Sequence, residues 1–89
     1  MKIYELLNKP KKWTQGTNAR NISGDRVDAN SKTAICWCIN GAMLKCYQNA
    51  VDRRRVDRAL RSEIELLTFW NDTTATYEDV IALTKRLDV

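Results

Sequence analysis

Residues 34–47 read AICWCINGAMLKCY, and they contain the longest concentration of apolar side chains in the chain. On a helix these side chains would occupy most of the circumference, which is typical of a buried helix. We therefore predict a central helix over residues 34–47, with Ser31 or Thr33 as its N-cap. Gly41 within this helix would cost about 1 kcal/mol relative to alanine, so we expect another backbone or a large ring to approach closely there.

Three further helices are predicted around this central one. The first covers residues 3–8 and ends there because Pro10 disfavours a helical conformation at the residue before it. The second covers residues 52–68, where an apolar stripe recurs at helical spacing. Residues 69–72 interrupt this pattern, and the last helix then begins with a capping-box-like pair, Thr76 and Asp79.

Residues 13–33 form a polar insertion that is long for a structureless loop in a small domain. Residues 17–21 and 25–28 are expected to pair as a short β-hairpin across a turn that contains Gly24. The predicted fold class is therefore mainly α, with about four helices packed on one small core and this irregular polar insertion at about 13–33. Since a chain of 89 residues buries only roughly 64% of its surface, we expect a single domain over residues 1–89.

The composition excludes several classes of chemistry. The chain has no histidine, three cysteines and a formal net charge of +4, so Ser-His and Cys-His nucleophiles and histidine-bound metals are excluded. Three thiols (Cys36, Cys38 and Cys46) are too few for a zinc site, and we predict that they pack as small core hydrophobes. A reactive thiol near Lys32 or at a helix N-terminus is the open alternative. We therefore predict no metal, no cofactor and no enzyme activity.

The sequence predicts a soluble, cytoplasmic protein with reduced thiols. No apolar stretch approaches the roughly 20 residues that cross a bilayer, and the first ten residues do not resemble a signal peptide. An odd number of cysteines is also unusual for a small secreted protein. No membrane contact is predicted, and the sequence leaves the oligomeric state open.

The excess positive charge lies in the first third of the chain. Residues 1–32 carry seven basic and three acidic side chains, whereas residues 33–89 carry eight of each. Such an asymmetry can mark a surface for an anionic partner, and a merely solvated surface is the alternative. The candidate anion contacts in this segment are Lys9, Lys11, Lys12 and Arg26.

The second predicted helix carries a cluster of arginines. Arg54, Arg58 and Arg61 share one face at helical spacing, a shape that can grip phosphates. Acidic side chains are interleaved, however, so residues 52–65 hold five basic and four acidic groups. Three interpretations stay open: a solvated face with intrahelical ion pairs, a contact to nucleic acid or nucleotide, and a contact to a protein partner.

A tryptophan in the polar insertion, Trp13, is the next candidate. It either anchors its loop to the core or forms the floor of a pocket, with Gln15 and Arg20 as hydrogen-bonding groups. Asn71 and Asp72 pose the same choice, because they either cap and turn the chain between two helices or belong to that site. An ion pair between Asp72 and Arg20 would hold the polar loop down.

Three blocks of the sequence together resemble a family of small bacterial and phage proteins catalogued only as a domain of unknown function. The blocks are WTQG at residues 13–16 with Ala19-Arg20, CWCINGA at residues 36–42, and WND at residues 70–72 with Asp79-Val80-Ile81. The resemblance implies a cytosolic single domain and supplies no activity. It also implies one shared framework or site, formed by Trp13, Gln15, Gly16, Arg20, Trp37, Gly41, Asn71 and Asp72.

We therefore predict a small non-enzymatic binding protein that inhibits or sequesters a host component, such as one of antiviral defence. A phage origin is expected because the chain is shorter than we expect of bacterial members, and this economy suits a phage genome. The partner is either a host protein or an anionic nucleotide ligand. The alternative is a nucleic-acid-binding or regulatory module that uses the basic N-terminal third and the Arg54, Arg58 and Arg61 face. The candidate ligand or partner contacts are Trp13, Gln15, Arg20, Trp37, Asn71 and Asp72.

Overall fold

The computed structural model describes residues 1–89 and contains five α-helices, one 3₁₀ turn and three two-residue strands. The α-helices are α1 (Ile3–Leu6), α2 (Ile39–Cys46), α3 (Ala50–Glu63), α4 (Leu67–Thr73) and α5 (Tyr77–Leu87). The 3₁₀ turn is Pro10–Lys12, and the strands are β1 (Ala19–Arg20), β2 (Arg26–Val27) and β3 (Cys36–Trp37). The mainly α prediction is confirmed, and four of the five α-helices have seven or more residues.

The central stretch of residues 34–47 is helical only in its second half, so the prediction of one continuous helix is wrong. Cys36 and Trp37 form β3 instead, which pairs antiparallel with β1. The indole Nε1 of Trp37 donates to the carbonyl oxygen of Ala29 at 2.8 Å, which fixes the buried ring. This long-range pairing overrides the local helical pattern, because helix propensity is a weak preference that tertiary context can outweigh.

The N-terminus of α2 is capped by a cysteine rather than by the predicted Ser31 or Thr33. The Sγ atom of Cys38 accepts a hydrogen bond from the backbone N–H of Gly41 at 3.2 Å, as a serine hydroxyl would at an N-cap. The backbone N–H of Cys38 itself donates to the carbonyl oxygen of Asn18 at 3.2 Å. The polar insertion therefore decides where α2 begins.

Gly41 is where the polar insertion crosses α2. A Cβ atom at this position would lie 1.9 Å from the carbonyl oxygen of Asn18, far inside van der Waals contact. The expected close approach of another backbone is therefore confirmed. Only glycine lets the two backbones meet at this distance.

The predicted hairpin in the polar insertion is confirmed. β1 pairs antiparallel with β2, with Ala19 opposite Val27, and the sheet order is β2-β1-β3. The connecting turn is held by Asn21, whose Oδ1 accepts from the backbone N–H groups of Ser23 and Asp25, both at 3.0 Å. This sheet places one side of the insertion against the start of α2.

The predicted helix over residues 52–68 is two helices. α3 begins after Asn49, whose Oδ1 caps the backbone N–H of Val51 at 2.8 Å, and it ends at Glu63. Residues 69–72 do not interrupt the helical pattern as predicted; they lie inside α4. This short helix buries Leu67 and Asn71, which are four residues apart and therefore share one face.

The remaining helices agree with the sequence. α1 ends at Leu6, before Pro10, and α5 begins after the predicted capping box, in which Thr76 and Asp79 exchange hydrogen bonds of 3.1 and 3.0 Å. Sixteen buried residues form one hydrophobic cluster, and α2 lies at its centre, packed against α1, α3 and α4. None of the helices combines the length and the apolar character that crossing a membrane requires.

Candidate functional site

The predicted site residues of the two tryptophan-containing stretches converge on Asn71, whose side chain is fully buried. Its Oδ1 accepts from the indole Nε1 of Trp13 at 2.8 Å and from the backbone N–H of Ile39 at 3.0 Å. Its Nδ2 donates to the carbonyl oxygen of Thr14 at 3.2 Å and to Oδ1 of Asp72 at 2.9 Å. Both donors and both acceptor positions of this amide are therefore occupied.

The loop that carries Trp13 is also tied down at its next residues. Gln15 Nε2 donates to the carbonyl oxygen of Asn71 at 2.9 Å, and the backbone N–H of Gly16 donates to Oδ1 of Asp72 at 2.9 Å. The backbone N–H of Thr14 donates to the carbonyl oxygen of Trp37 at 3.0 Å. α4 and β3 thus hold this loop from two sides.

Arg20 holds the same loop from β1, but it forms no ion pair with Asp72, so that prediction is wrong. Its guanidinium donates to Thr14 Oγ1 at 3.2 Å and to the carbonyl oxygens of Gln15 and Gly24, both at 3.1 Å. The ion pairs of the protein lie elsewhere, at Lys2–Asp88, Arg61–Asp57 and Arg86–Glu63. Arg20 and Asp72 instead form hydrogen bonds with neighbouring backbone groups of one loop. Arg20 donates to the carbonyl oxygen of Gln15, and Asp72 accepts from the N–H of Gly16.

We call this set of contacts the Asn71 latch; its members are Trp13, Thr14, Gln15, Gly16, Arg20, Asn71 and Asp72. No buried side-chain nitrogen or oxygen atom of the protein lacks a hydrogen-bond partner. None of the five surface depressions is lined by Trp13, Gln15, Arg20, Trp37, Asn71 or Asp72. The latch is therefore a filled arrangement that fixes the polar insertion, and not an open pocket.

The three cysteines lie in the core or packed against it. Cys36 and Cys38 are buried and Cys46 is half-buried, and all three thiols are free. Burial raises the pKa of Cys46 to about 11, and it raises the pKa of Cys38 although N–H groups at the start of α2 oppose the shift. At neutral pH both thiols are protonated, which disfavours a reactive thiol at the helix N-terminus. No three His, Cys, Asp or Glu residues lie close enough together to hold a metal ion.

The exposed arginines of α3 line an open depression on the protein surface. A shallow depression of about 580 Å³ runs along the outer side of this helix and contains no acidic side chain. We call it the arginine face; its lining residues are Val51, Arg54, Arg55, Arg58, Ala59 and Ser62. Arg54, Arg55 and Arg58 are exposed, and they form neither an ion pair nor a hydrogen bond within the protein.

The arginine face differs in composition from the predicted triad. Arg61 turns away to pair with Asp57, with 2.8 Å between Nε and Oδ1. The third arginine of the face is instead Arg55, which was not part of the predicted triad. Successive residues of an α-helix are separated by about 100°, so Arg54, Arg58 and Arg55 fall within about 100° of the circumference. Residues 52–65 are therefore nearly neutral in total, although the charged side chains of the arginine face are all positive.

The basic N-terminal third does not extend this face. Lys11 and Lys12 belong to the 3₁₀ turn, which packs against β3, whereas α3 packs against α2 and α5. Lys9 immediately precedes this turn. Arg26 is exposed on β2, where it lines a separate depression together with Asp28. The candidate anion contacts of the first third are thus distributed over two other elements.

A comparison with protein-family models matches residues 2–87 to DUF6197, a family of unknown function. The chain belongs to this family. Comparisons with curated proteins and with solved structures give no match. The resemblance to a domain of unknown function is therefore confirmed.

In this DUF6197 chain, the blocks that carry the resemblance and the open surface are different parts of the structure. The blocks supply the Asn71 latch, β3 and the start of α2, including Gly41 at its crossing with Asn18. The arginine face belongs to α3, which none of the three blocks includes. The blocks explain how the fold is held together, and they leave the surface free for another role.

Proposed function

We propose that this DUF6197 chain is a non-enzymatic binding protein that holds an anionic partner against the arginine face of α3. The observation that carries the proposal is the set of three exposed guanidinium groups, on Arg54, Arg55 and Arg58, with no acidic side chain in the depression between them. Guanidinium groups form paired hydrogen bonds to carboxylates and phosphates.

The other arginines near α3 are occupied, which makes this group distinct. Arg61 and Arg86 form ion pairs, and Arg53 donates to the carbonyl oxygens of Tyr47 and Gln48, both at 3.4 Å. A solvated helix surface would gain from an alternation of charge, because opposite charges three or four residues apart stabilise a helix. Within the depression itself, all the charged side chains are positive.

This arrangement carries a cost in the free protein. Arg54 and Arg58 are four residues apart and Arg55 and Arg58 are three apart, and each like-charge pair at such a spacing destabilises a helix by about 0.2–0.5 kcal/mol. An anionic partner would relieve this repulsion. The proposal therefore gives a reason for three exposed guanidinium groups that form no ion pair within the protein.

The non-enzymatic part of the proposal is supported by the state of the polar groups. The side chains of the Asn71 latch use their donors and acceptors on one another, and the pKa values of Cys38 and Cys46 are raised. The chain also lacks histidine as a general base. Neither the Cys38 thiol nor the Cys46 thiol is therefore activated as a nucleophile by a lowered pKa.

The nature of the biological setting stays a prediction. The expectations that the chain is phage-encoded, and that it inhibits or sequesters a host component of antiviral defence, rest on the sequence. The description of DUF6197 does not address either of them. A host protein with an acidic surface and a nucleic acid are both anionic partners in the sense of this proposal.

The proposal is tested with heparin, a flexible polyanion of no particular shape. We expect the wild-type protein to bind heparin in 50 mM salt, and a variant with Arg54→Gln, Arg55→Gln and Arg58→Gln to lose most of this binding. The matched control neutralises the same number of charges elsewhere, with Lys9→Gln, Lys11→Gln and Lys12→Gln, and it should retain binding. Equal losses in the two triple variants would overturn the proposal, because they would reflect net charge alone.

A further inference from the structure

We infer that the anionic partner of the arginine face is duplex DNA, held chiefly through its phosphates. This inference rests on the proposed function and adds the class of the partner. It follows from the shape of α3 on the protein surface, from the side chains that line its outer side, and from those that the outer side lacks.

The shape of the arginine face favours a partner that has a groove wide enough to accept an α-helix. Of the fourteen residues of α3, Val56 and Leu60 are buried in the core. The opposite side of the helix, which carries Arg54, Arg55 and Arg58, is exposed. Fourteen residues span about 21 Å, and a helix with side chains is about 10–12 Å across. The major groove of B-form DNA is about 12 Å wide and admits an α-helix of this size.

The spacing of the charges on this face suits contacts to phosphates along such a groove. Arg54 and Arg58 are one turn apart, and Arg55 lies about 60–100° around the helix from them. Long side chains spaced in this way on one face of a helix can reach neighbouring phosphates at the edge of a groove. Val51, which is 71% exposed at the first turn of α3, adds an apolar group to the same surface.

The groups that are absent from the face disfavour other nucleic acids. Proteins that bind single strands stack bases on aromatic rings, and no aromatic side chain lines the arginine face. The same absence, together with the open shape of the depression, leaves a mononucleotide without a surface for its base. Duplex RNA has a deep and narrow major groove that side chains cannot enter. Among nucleic acids, duplex DNA is the polyanion that these constraints leave.

The test measures the affinity of the wild-type protein for four labelled or competing probes. They are a mixed-sequence DNA duplex of about 20 base pairs, its single strand, an RNA duplex of the same length, and polyglutamate, which represents an acidic protein surface. We expect the DNA duplex to bind most tightly. With three phosphates neutralised, the logarithm of its binding constant should fall with the logarithm of salt concentration with a slope of about −2.7. This slope corresponds to a loss of about 40-fold between 50 and 200 mM salt.

Single substitutions locate the contacts. Arg58→Gln should make the slope shallower by about 0.9, because one phosphate contact is lost. Lys11→Gln removes the same charge from the 3₁₀ turn and should leave the slope unchanged. Circular dichroism of each variant confirms that it is folded, and we expect no unfolding because both side chains are exposed.

Failure of this inference and failure of the proposed function give different results. If heparin binds through Arg54, Arg55 and Arg58 but the DNA duplex binds no better than the single strand, the RNA duplex or polyglutamate, the duplex-DNA inference is overturned and the proposed function stands. If neither heparin nor any of the four probes binds, both are overturned. If Lys11→Gln reduces the slope as much as Arg58→Gln does, the assignment to the arginine face is overturned.

Discussion

Substitution of Asn71 by alanine should remove the central support of the polar insertion. The side chain of Asn71 makes four hydrogen bonds, to Trp13, Thr14, Ile39 and Asp72, and it is fully buried. Truncation deletes all four at once. It also leaves the backbone N–H of Ile39 at the start of α2 without its partner, in a place that water does not reach.

The magnitude follows from these contacts. Four hydrogen bonds at a net 0.5–1.5 kcal/mol each give about 2–6 kcal/mol, so we expect a loss of about 4 kcal/mol. A protein of 89 residues has a total free energy of unfolding of roughly 4–13 kcal/mol. Each kcal/mol corresponds to about 4–8 °C in Tm for a domain of this size. Asn71→Ala should therefore lower Tm by about 15 °C or more, or prevent folding.

The assay is urea denaturation and thermal unfolding followed by circular dichroism. The matched control is Asn40→Ala, because Asn40 donates one hydrogen bond, to Asn18 Oδ1 at 3.0 Å, from a half-buried position. We expect this control to lose about 1 kcal/mol. If Asn71→Ala does not fold, Gln15→Ala provides a milder test, since it removes only the contact to the carbonyl oxygen of Asn71. The Gly16 amide should then exchange with solvent faster than in the wild type.

A small effect would refute the role assigned to the latch. If Asn71→Ala is no less stable than Asn40→Ala, the four hydrogen bonds do not hold the insertion, and the convergence of the predicted site residues would need another explanation. Equal stability together with unchanged exchange of the Gly16 amide would be decisive. In that case the polar groups of the latch would again be candidates for a ligand.

Three further predictions concern other parts of the molecule. Gly41→Ala should destabilise the protein by several kcal/mol, because its Cβ would lie 1.9 Å from the carbonyl oxygen of Asn18. Gly24 lies in open space at a φ of +84°, so Gly24→Ala should cost only about 1–2 kcal/mol. Equal losses of the two variants in chemical denaturation would contradict this prediction. Arg58→Gln should raise the free energy of unfolding by up to about 1 kcal/mol through relief of like-charge repulsion, and a decrease would mean that this guanidinium has a partner in the free protein. The thiol of Cys46, with its pKa raised to about 11 by burial, should react with iodoacetamide at half its limiting rate near pH 11 in the folded protein and near pH 9 when denatured. Since the folded pKa is the higher one, this group stabilises the protein fully below pH 9, and the contribution is lost as pH rises towards 11; identical folded and denatured profiles would contradict the burial of the thiol.

Features of the fold that depend on neighbouring residues were predictable from the sequence. The capping box of Thr76 and Asp79, the end of α1 before Pro10 and the turn with Gly24 each follow from side-chain and backbone chemistry within a few residues. Gly41 was predictable as a point of close approach, because a glycine inside an apolar helix needs a packing reason. The partner at that point, Asn18, was not predictable from spacing.

Features that depend on distant residues were missed. β3 forms because β1 offers a pairing edge to an apolar segment that would otherwise suit a helix. Along the sequence, residues 69–72 depart from the apolar spacing of the preceding helix, whereas in the structure Asn71 is buried with a partner for each polar atom. The burial of Asn71 could not be predicted from nearby residues, because its partners Trp13 and Thr14 are distant along the chain and only the fold brings them to it.

The candidate site was predictable in part. The sequence pointed to Trp13, Gln15, Arg20, Asn71 and Asp72 as a group, and the structure brings them together through Asn71, but it fills the space between them. The arginine face was obscured for the opposite reason. A charge count along residues 52–65 mixes opposite sides of α3. The remaining three arginines stand out only because Arg61 pairs with Asp57 and Arg53 donates to backbone carbonyl oxygens.

The most direct measurement is the mapping of amide chemical shifts in an isotope-labelled sample as the DNA duplex of about 20 base pairs is added in low salt. We expect the shifts to concentrate in residues 51–62, along the outer side of α3, while the Gly16 and Ile39 amides of the latch stay unchanged. Shifts centred on residues 13–16 and 71–72, or on the 3₁₀ turn at residues 10–12, would contradict the assignment of the latch to structure and of the arginine face to binding.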